Sequence, residues 1–257
     1  MAEKTIVFIH GMFFTPTCWD AWVTYYKAQG YNCITPGWPG RDKPVRTLIK
    51  NHPDPKVGQL TLKDVVEHYA AIIKKLPKKP ILIGHSMGGL VAQVLLQRDL
   101  ALAAIAISSG PPLGLLSLKP SFLKASMPIL NPLKRTEPYY MPFEHFQYSF
   151  VHTLPLEEQK AAYENVVPES RQVGWGLFSN AAKVDFKKAH APLLLIAGSE
   201  DRLIPASLNH ANAQRYSGHS SVVAIKEFAG RTHYILGQKG WEEVAEYGAN
   251  WLNTRKI

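Results

Sequence analysis

A sharp turn between an apolar strand and a helix constrains the fold of this chain more than any other feature of its sequence. Residues 80–83 are apolar, and residues 89–96 have the composition of a buried helix. Between them lies Gly-His-Ser-Met-Gly at positions 84–88. A G-x-S-x-G pentapeptide in this context is typical of a nucleophile elbow, in which only small residues fit beside the serine. Ser86 is therefore the candidate nucleophile, although such a pentapeptide by itself also occurs in surface loops.

Strand-like and helix-like segments alternate along most of the 257 residues. The patterns predict strands at 5–11, 81–83, 103–108, 193–197 and 222–228, a strand with its loop at 33–40, and helices at 16–29, 62–76, 88–98 and from about residue 240. Strands that alternate with helices predict an α/β fold with a doubly wound, mainly parallel sheet. The intervening stretch 41–60 is polar and carries prolines.

The alternation stops between Gly110 and His190. This stretch holds nine of the 19 prolines of the chain, together with aromatic residues that include Phe122, Tyr139, Tyr140, Phe143, Phe146, Tyr148, Phe150, Trp175 and Phe178. Linkers are polar, whereas these residues are aromatic enough to pack. We predict a single domain over 1–257, with a mostly helical cap inserted at about 111–190 above the carboxyl edge of the sheet. The alternative is that this segment is an ordinary helical insertion that contacts no ligand.

Charge and cysteine content exclude several classes of function. The formal net charge is +9, but its densest cluster, at 74–79, lies at a predicted helix end and no nucleic-acid motif accompanies it. Cys18 and Cys33 fit neither a disulfide framework nor a zinc site. The apolar stretches are too short to span a bilayer, and the amino terminus leaves no room for a signal peptide. We expect a cytoplasmic protein with no nucleic-acid partner and no stable membrane insertion, whose oligomeric state is open.

A reactive serine needs a histidine to take its proton and a carboxylate to orient that histidine. In proteins with this elbow the chain order is serine, acid, histidine. The predicted strand 193–197 leads into a loop that carries Glu200 and Asp201. Asp201 is the candidate acid because its shorter side chain suits the turn, and Glu200 is the alternative.

His233 is the candidate base. It follows the last predicted strand in a short loop, 229–234, that delivers it to the same edge of the sheet. His210 and His219 are expected at the surface.

Two backbone N–H groups are expected to form an oxyanion hole. One belongs to Met87, directly after the nucleophile, and the other to Met12, where Gly11 lets the loop turn inward. His10, in the same loop, is expected to be structural.

These motifs, taken in order, resemble the α/β-hydrolase family along nearly the whole chain. The sequence is similar to small bacterial capped serine hydrolases that are esterases or lysophospholipase-like enzymes. The resemblance implies a carboxylesterase-like serine hydrolase with the catalytic triad Ser86, Asp201 and His233, acting through an acyl-enzyme on a small or medium apolar ester, without metal or cofactor. Family members that act on epoxides or haloalkanes carry Asp at the elbow, so Ser86 argues against those reactions.

The substrate stays open at this stage. Phe13, Trp38, Phe143 and Phe146 are candidates for contact with an apolar part of the substrate, although aromatic residues at these positions suit a core equally well. A lactonase or a carbon-carbon bond hydrolase would use the same triad. A ligand-binding protein without catalysis is the alternative of another class.

Overall fold

A computed structural model describes residues 4–218 and 220–257. Its strands are β1 (Thr5–Ile9), β2 (Asn32–Ile34), β3 (Ile81–His85), β4 (Ala103–Ile107), β5 (Pro138–Tyr139), β6 (Glu169–Ser170), β7 (Leu193–Gly198) and β8 (Val223–Phe228). Its helices are α1 (Asp20–Ala28), α2 (Val45–Lys50), α3 (Pro55–Gln59), α4 (Leu62–Ile73), α5 (Met87–Gln97), α6 (Pro120–Ser126), α7 (Phe143–Phe146), α8 (Leu156–Tyr163), α9 (Arg171–Trp175), α10 (Ala206–Arg215) and α11 (Trp241–Thr254).

Six parallel strands form the main sheet in the order β2-β1-β3-β4-β7-β8. The strand β3 is central, with Ile9 of β1 opposite Gly84 on one side and Ile107 of β4 opposite His85 on the other. The carboxyl ends of all six strands therefore meet at one edge, where the loops that follow β1, β3, β7 and β8 come together. The predicted α/β fold with a mainly parallel sheet is confirmed. A separate antiparallel ribbon pairs β5 with β6.

Helices cover both faces of this sheet. Successive residues of a strand point to opposite faces, so Val7 and Ile9 pack on the side of α4 and α5, while Ile6 and Phe8 pack on the side of α1 and α11. The helix α4 shows why the sequence pattern succeeds. A capping box between Thr61 and Asp64 closes its first turn, and an apolar stripe at helical spacing is buried: Leu62, Val65, Val66, Tyr69, Ala70 and Ile73.

Tertiary contacts decide the structure of residues 41–60. This polar stretch contains α2 and α3, which are too short to be stable alone. They are joined to the 111–190 segment, where the Ser170 hydroxyl donates to the carbonyl of Leu60 at 2.6 Å. Arg41 and Glu169 form a fully buried ion pair at 2.5 Å between the two regions.

This ion pair gives a stability prediction. Glu169→Gln leaves the Arg41 guanidinium buried without a counter-charge, so we expect the free energy of unfolding to fall by about 3 to 5 kcal/mol. Urea denaturation followed by circular dichroism measures the change. Arg41→Met combined with Glu169→Leu removes both charges and should recover most of the loss. A double variant as unstable as the single one would contradict this account.

The helices of the described ranges, 4–218 and 220–257, include none that is long and apolar enough to cross a membrane.

Candidate active site

Ser86 lies at the turn between β3 and α5 with φ 55° and ψ −122°, a conformation that residues other than glycine rarely adopt. Two backbone hydrogen bonds hold it there. The Ser86 N–H donates to the carbonyl of Ile107, and the Ser86 carbonyl accepts from the N–H of Gly110, each at 2.9 Å. Local strain is thus maintained by the neighbouring strand and by the segment that follows it.

Close backbone approach explains the two glycines of the pentapeptide. A Cβ atom at Gly84 would lie 2.1 Å from the carbonyl oxygen of Gly88, and one at Gly88 would lie 2.2 Å from that of Ile9. Both contacts are with backbone, which cannot move aside cheaply. The turn at Ser86 is therefore accessible only with glycine at both positions.

The side chain of Ser86 belongs to a chain of hydrogen bonds. His233 Nε2 lies 2.9 Å from Ser86 Oγ, and His233 Nδ1 lies 2.7 Å from Asp201 Oδ2. His233 is completely buried, while Ser86 and Asp201 are 9% and 4% exposed. Three residues that are 32 to 147 positions apart in sequence thus meet at the carboxyl edge of the sheet.

Two backbone N–H groups that follow Asp201 in the same loop fix the orientation of its carboxylate. Its Oδ1 atom accepts from the N–H groups of Leu203 at 2.9 Å and Ile204 at 2.7 Å, which leaves Oδ2 for His233. Glu200, the alternative acid, is exposed. Because an ionised carboxylate only accepts hydrogen bonds, the proton of His233 lies on Nδ1. Its Nε2 atom can then accept the hydroxyl proton of Ser86.

The loop that carries His233 is held from two sides. The Thr232 N–H donates to the side-chain oxygen of Gln238 at 3.0 Å, and the Tyr234 N–H donates to the carbonyl of Phe150 at 3.1 Å. The ring of Phe150 also contacts His233 edge-on, with 4.8 Å between ring centroids. The 111–190 segment therefore helps to position the histidine.

A second histidine, His85, adjoins this site and was not singled out from the sequence. Its Nε2 atom lies 2.9 Å from the carbonyl oxygen of His233, and its side chain is buried. Burial lowers the pKa of His85 well below its ordinary value, and the neighbouring His233 lowers it further. The neutral ring donates from Nε2 to that carbonyl. Its position beside Ser86 at the end of a central strand is the sequence signal that could have identified it.

His10 lies in the loop after β1, where both of its ring nitrogens are hydrogen-bonded. Nδ1 donates to the carbonyl of Gly11 at 2.8 Å, and Nε2 accepts from the N–H of Trp38 at 3.1 Å. The ring stacks on Trp38 with 5.0 Å between centroids. Burial lowers the pKa of His10 to about 3, and the nearby charge of Arg41 lowers it as well. These contacts are those of a neutral ring that holds the loop.

The lowered pKa of His10 predicts acid sensitivity. Between about pH 6.5 and 3 the unfolded chain binds a proton at this residue that the folded protein does not, so stability falls as the pH falls through that window, by about 1.4 kcal/mol per pH unit. Urea midpoints across this range measure the slope. We expect His10→Gln to lower this slope by the contribution of one proton. An unchanged slope in His10→Gln would refute the assignment.

The loop after β1 passes directly against the serine. A Cβ atom at Gly11 would lie 2.8 Å from that of Ser86. The next turn of the loop has Phe13 at φ 70°, with its carbonyl accepting from the N–H of Val167 at 2.9 Å. Met12 and Met87, the two residues expected to supply N–H groups, line the same cavity as Ser86.

A small apolar cavity of about 50 Å³ opens at Ser86. Of the four aromatic candidates for substrate contact, Phe13 lines it and the other three do not. Trp38 stacks on His10, Phe146 stacks on Phe150, and Phe143 packs on Tyr163, so these rings serve packing. Much of the rest of the wall consists of Phe122, an aromatic residue of the predicted cap, and of aliphatic residues that the sequence did not single out: Ile129, Leu130, Leu177, Leu203 and Ile204.

The remaining polar candidates lie apart from this site. His210 is partly exposed and contacts Glu227 at 2.8 Å. His219 lies outside the described residues. No group of three or more His, Cys, Asp or Glu side chains in the part of the chain that the structure describes could hold a metal ion.

Comparison with known families adds the decisive observation. A model of the alpha/beta hydrolase family matches residues 6–247, from the first strand to the last helix. The chain belongs to this family. Ser86, Asp201 and His233 all lie within the matched region of the α/β-hydrolase. No curated protein sequence matches the chain significantly.

Solved structures similar to this α/β-hydrolase share its fold over almost its whole length. A monoacylglycerol lipase of Paleococcus ferrophilus is 21% identical with a TM-score of 0.73, over 97% of this chain and 95% of the lipase. An extracellular alpha/beta-hydrolase from a Paenibacillus species is 24% identical with a TM-score of 0.71, over 95% and 97%. A methylesterase from Arabidopsis is 16% identical with a TM-score of 0.67, over 98% and 99%.

Proposed function

We propose that this α/β-hydrolase cleaves carboxylic esters of small or medium apolar substrates through an acyl-enzyme on Ser86. The observation that carries the proposal is the hydrogen-bonded series Asp201, His233 and Ser86, which ends at an apolar cavity. A hydroxyl bonded to a neutral imidazole, whose other nitrogen is bonded to a carboxylate, is the arrangement that activates serine. Two of the similar structures are named as a monoacylglycerol lipase and a methylesterase, and ester hydrolysis is consistent with those names. At 21% and 16% identity, however, the likeness to them is evidence for the fold alone.

The proposed reaction has two halves. His233 takes the hydroxyl proton as Ser86 Oγ attacks the ester carbonyl, and the N–H groups of Met12 and Met87 stabilise the resulting oxyanion. Collapse of this intermediate breaks the ester bond, and His233 gives its proton to the leaving alcohol. Water, deprotonated by His233, then attacks the acyl-enzyme, and the bond from the acyl carbon to Ser86 Oγ breaks as His233 returns the proton to Oγ, which releases the carboxylic acid and restores the serine hydroxyl. Asp201 keeps the histidine in the required tautomer throughout.

The 111–190 segment would act as a cap within a single domain of residues 1–257. Its residues Phe122, Leu130 and Leu177 line the cavity together with Leu203 and Ile204 from the loop after β7. Apolar walls favour an apolar acyl or alcohol group, since burial of each methylene contributes about 0.8 kcal/mol. A cytoplasmic location stays a prediction from the sequence.

Two measurements test the proposed function together. Release of p-nitrophenol from acetate, butyrate, octanoate and palmitate esters measures turnover and its dependence on chain length. A fluorophosphonate probe followed by peptide mapping measures whether Ser86 is reactive. We expect turnover of at least one ester and labelling at Ser86. Labelling without ester turnover would point to lactone or carbon-carbon bond hydrolysis, and the absence of both would indicate a binding protein.

A further inference from the structure

Exposed apolar side chains are concentrated on one part of the 111–190 segment. Nine large apolar side chains are exposed in the described part of the chain, and five of them lie between residues 116 and 133, with a sixth close by. These six are Leu116, Leu118, Leu123, Met127, Leu133 and Phe178. Leu133 and Leu118 are 91% and 85% exposed, so neither packs on the protein. Apolar side chains clustered in this way mark an interaction site.

Five of these six residues line a groove that adjoins the cavity at Ser86. The groove has a volume of about 440 Å³ and is lined by Leu116, Leu118, Leu123, Met127 and Phe178 among others. Phe122, Ser126 and Leu130 line both the groove and the cavity. The exposed apolar surface is therefore continuous with the mouth of the candidate active site.

The charge of this surface has a single sign. Residues 100–136 contain neither Asp nor Glu, while Lys119, Lys124, Lys134 and Arg135 are all exposed. The first carboxylate that follows, Glu137, lies 3.5 Å from Lys134. Four cations next to exposed leucines would be complementary to a surface that presents anionic groups above an apolar layer.

We propose that the apolar and basic surface formed by residues 116–135 and Phe178 docks on an anionic lipid bilayer. Apolar side chains of a peripheral protein enter the boundary between headgroups and acyl chains, and cations beside them bind lipid phosphates. The groove would then face the bilayer and give an apolar molecule a route to Ser86 that does not cross water. Docking needs no spanning helix, and it goes beyond the proposed ester hydrolysis because it concerns where the protein acts.

Vesicle sedimentation with the full-length Ser86→Ala protein tests the docking without interference from turnover. Binding to phosphatidylcholine vesicles is compared with binding to vesicles that also contain phosphatidylglycerol. We expect the partition coefficient to be at least about tenfold higher on the anionic vesicles and to fall as salt is added. Equal binding to both kinds of vesicle, or no binding to either, would overturn the proposal.

Matched variants assign the binding to this surface. Replacing Lys119, Lys124, Lys134 and Arg135 by Gln should lower the partition coefficient by more than about a hundredfold, because each charge contributes about fivefold. The control replaces four exposed lysines elsewhere, Lys63, Lys74, Lys75 and Lys78, and changes net charge equally. If the control loses as much binding, net charge explains the association and the surface does not.

The apolar part of the surface has its own pair of variants. Leu118→Ser with Leu133→Ser should lower the partition coefficient by about tenfold or more, since two exposed side chains no longer enter the bilayer. Leu102→Ser, at an exposed leucine elsewhere, should leave it unchanged. Circular dichroism establishes that each variant is folded. Loss of binding in the charge variant, with none in the leucine pair, would mean electrostatic adsorption without entry of apolar side chains and would overturn the docking proposed here. Ester hydrolysis by the wild type without vesicle binding would leave the proposed function intact and refute the docking.

Discussion

Ser86→Ala and His233→Ala are each expected to lower kcat for an ester substrate by about 10⁴ to 10⁶-fold. The first variant removes the atom that would form the acyl-enzyme, and the second removes the base hydrogen-bonded to it at 2.9 Å. Initial rates of p-nitrophenyl butyrate hydrolysis measure the loss. Ser207→Ala and His210→Ala change the same residue types outside the hydrogen-bonded series and should retain wild-type rates.

The double variant should lose little more of kcat than either single variant does. Groups that act as one unit give strongly non-additive losses, because removing either one already abolishes nucleophilic attack. The double variant Ser86→Ala with His233→Ala is therefore expected within about tenfold of the single variants. Losses that multiply would mean that the serine and the histidine act independently, which the proposed mechanism forbids.

Asp201→Asn is expected to lower kcat by about 10⁴-fold while the fold remains intact. The amide oxygen of Asn can still accept from the N–H groups of Leu203 and Ile204, as Asp201 Oδ1 does. The amide nitrogen would then face Nδ1 of His233, and two donors cannot share that contact. The histidine proton moves to Nε2, where it blocks transfer from Ser86.

Two readouts separate this tautomer effect from a loss of structure. Thermal unfolding of Asp201→Asn should stay close to that of the wild type, and fluorophosphonate labelling of Ser86 should slow by a factor similar to that for ester hydrolysis. Glu200→Gln is the matched control, because Glu200 precedes Asp201 and is exposed. A large loss in Glu200→Gln with a mild one in Asp201→Asn would reverse the assignment of the acid.

Several parts of the fold follow from short-range signals. Apolar runs and helical spacing located the strands of the main sheet and the helices α4 and α5, because periodicity reports which face of an element is buried. The helix predicted at 16–29 is correct for α1, but residues 16–19 form a 3-10 turn instead. The helices α2 and α3 were not predicted, because segments of six and five residues are too short to show a helical periodicity.

The sequence likewise predicted some residues of the candidate site and left the role of others open. The order of motifs predicted Ser86, Asp201 and His233, and the structure brings them within hydrogen-bond distance, since loops at the carboxyl ends of parallel strands necessarily meet at one edge. For Trp38 and Phe146 the sequence left substrate contact and core packing equally open, and the structure packs them against His10 and Phe150.

The sequence by itself determined the sheet, the tight turn at Ser86 and the residues delivered to its edge, because strand periodicity and glycine sterics act over a few neighbouring positions. Only the tertiary structure decided the walls of the cavity, the buried pair of Arg41 and Glu169, and the contact of His85 with His233. Each of these joins residues far apart along the chain. Such contacts depend on how complete elements pack in three dimensions, and no local pattern encodes them.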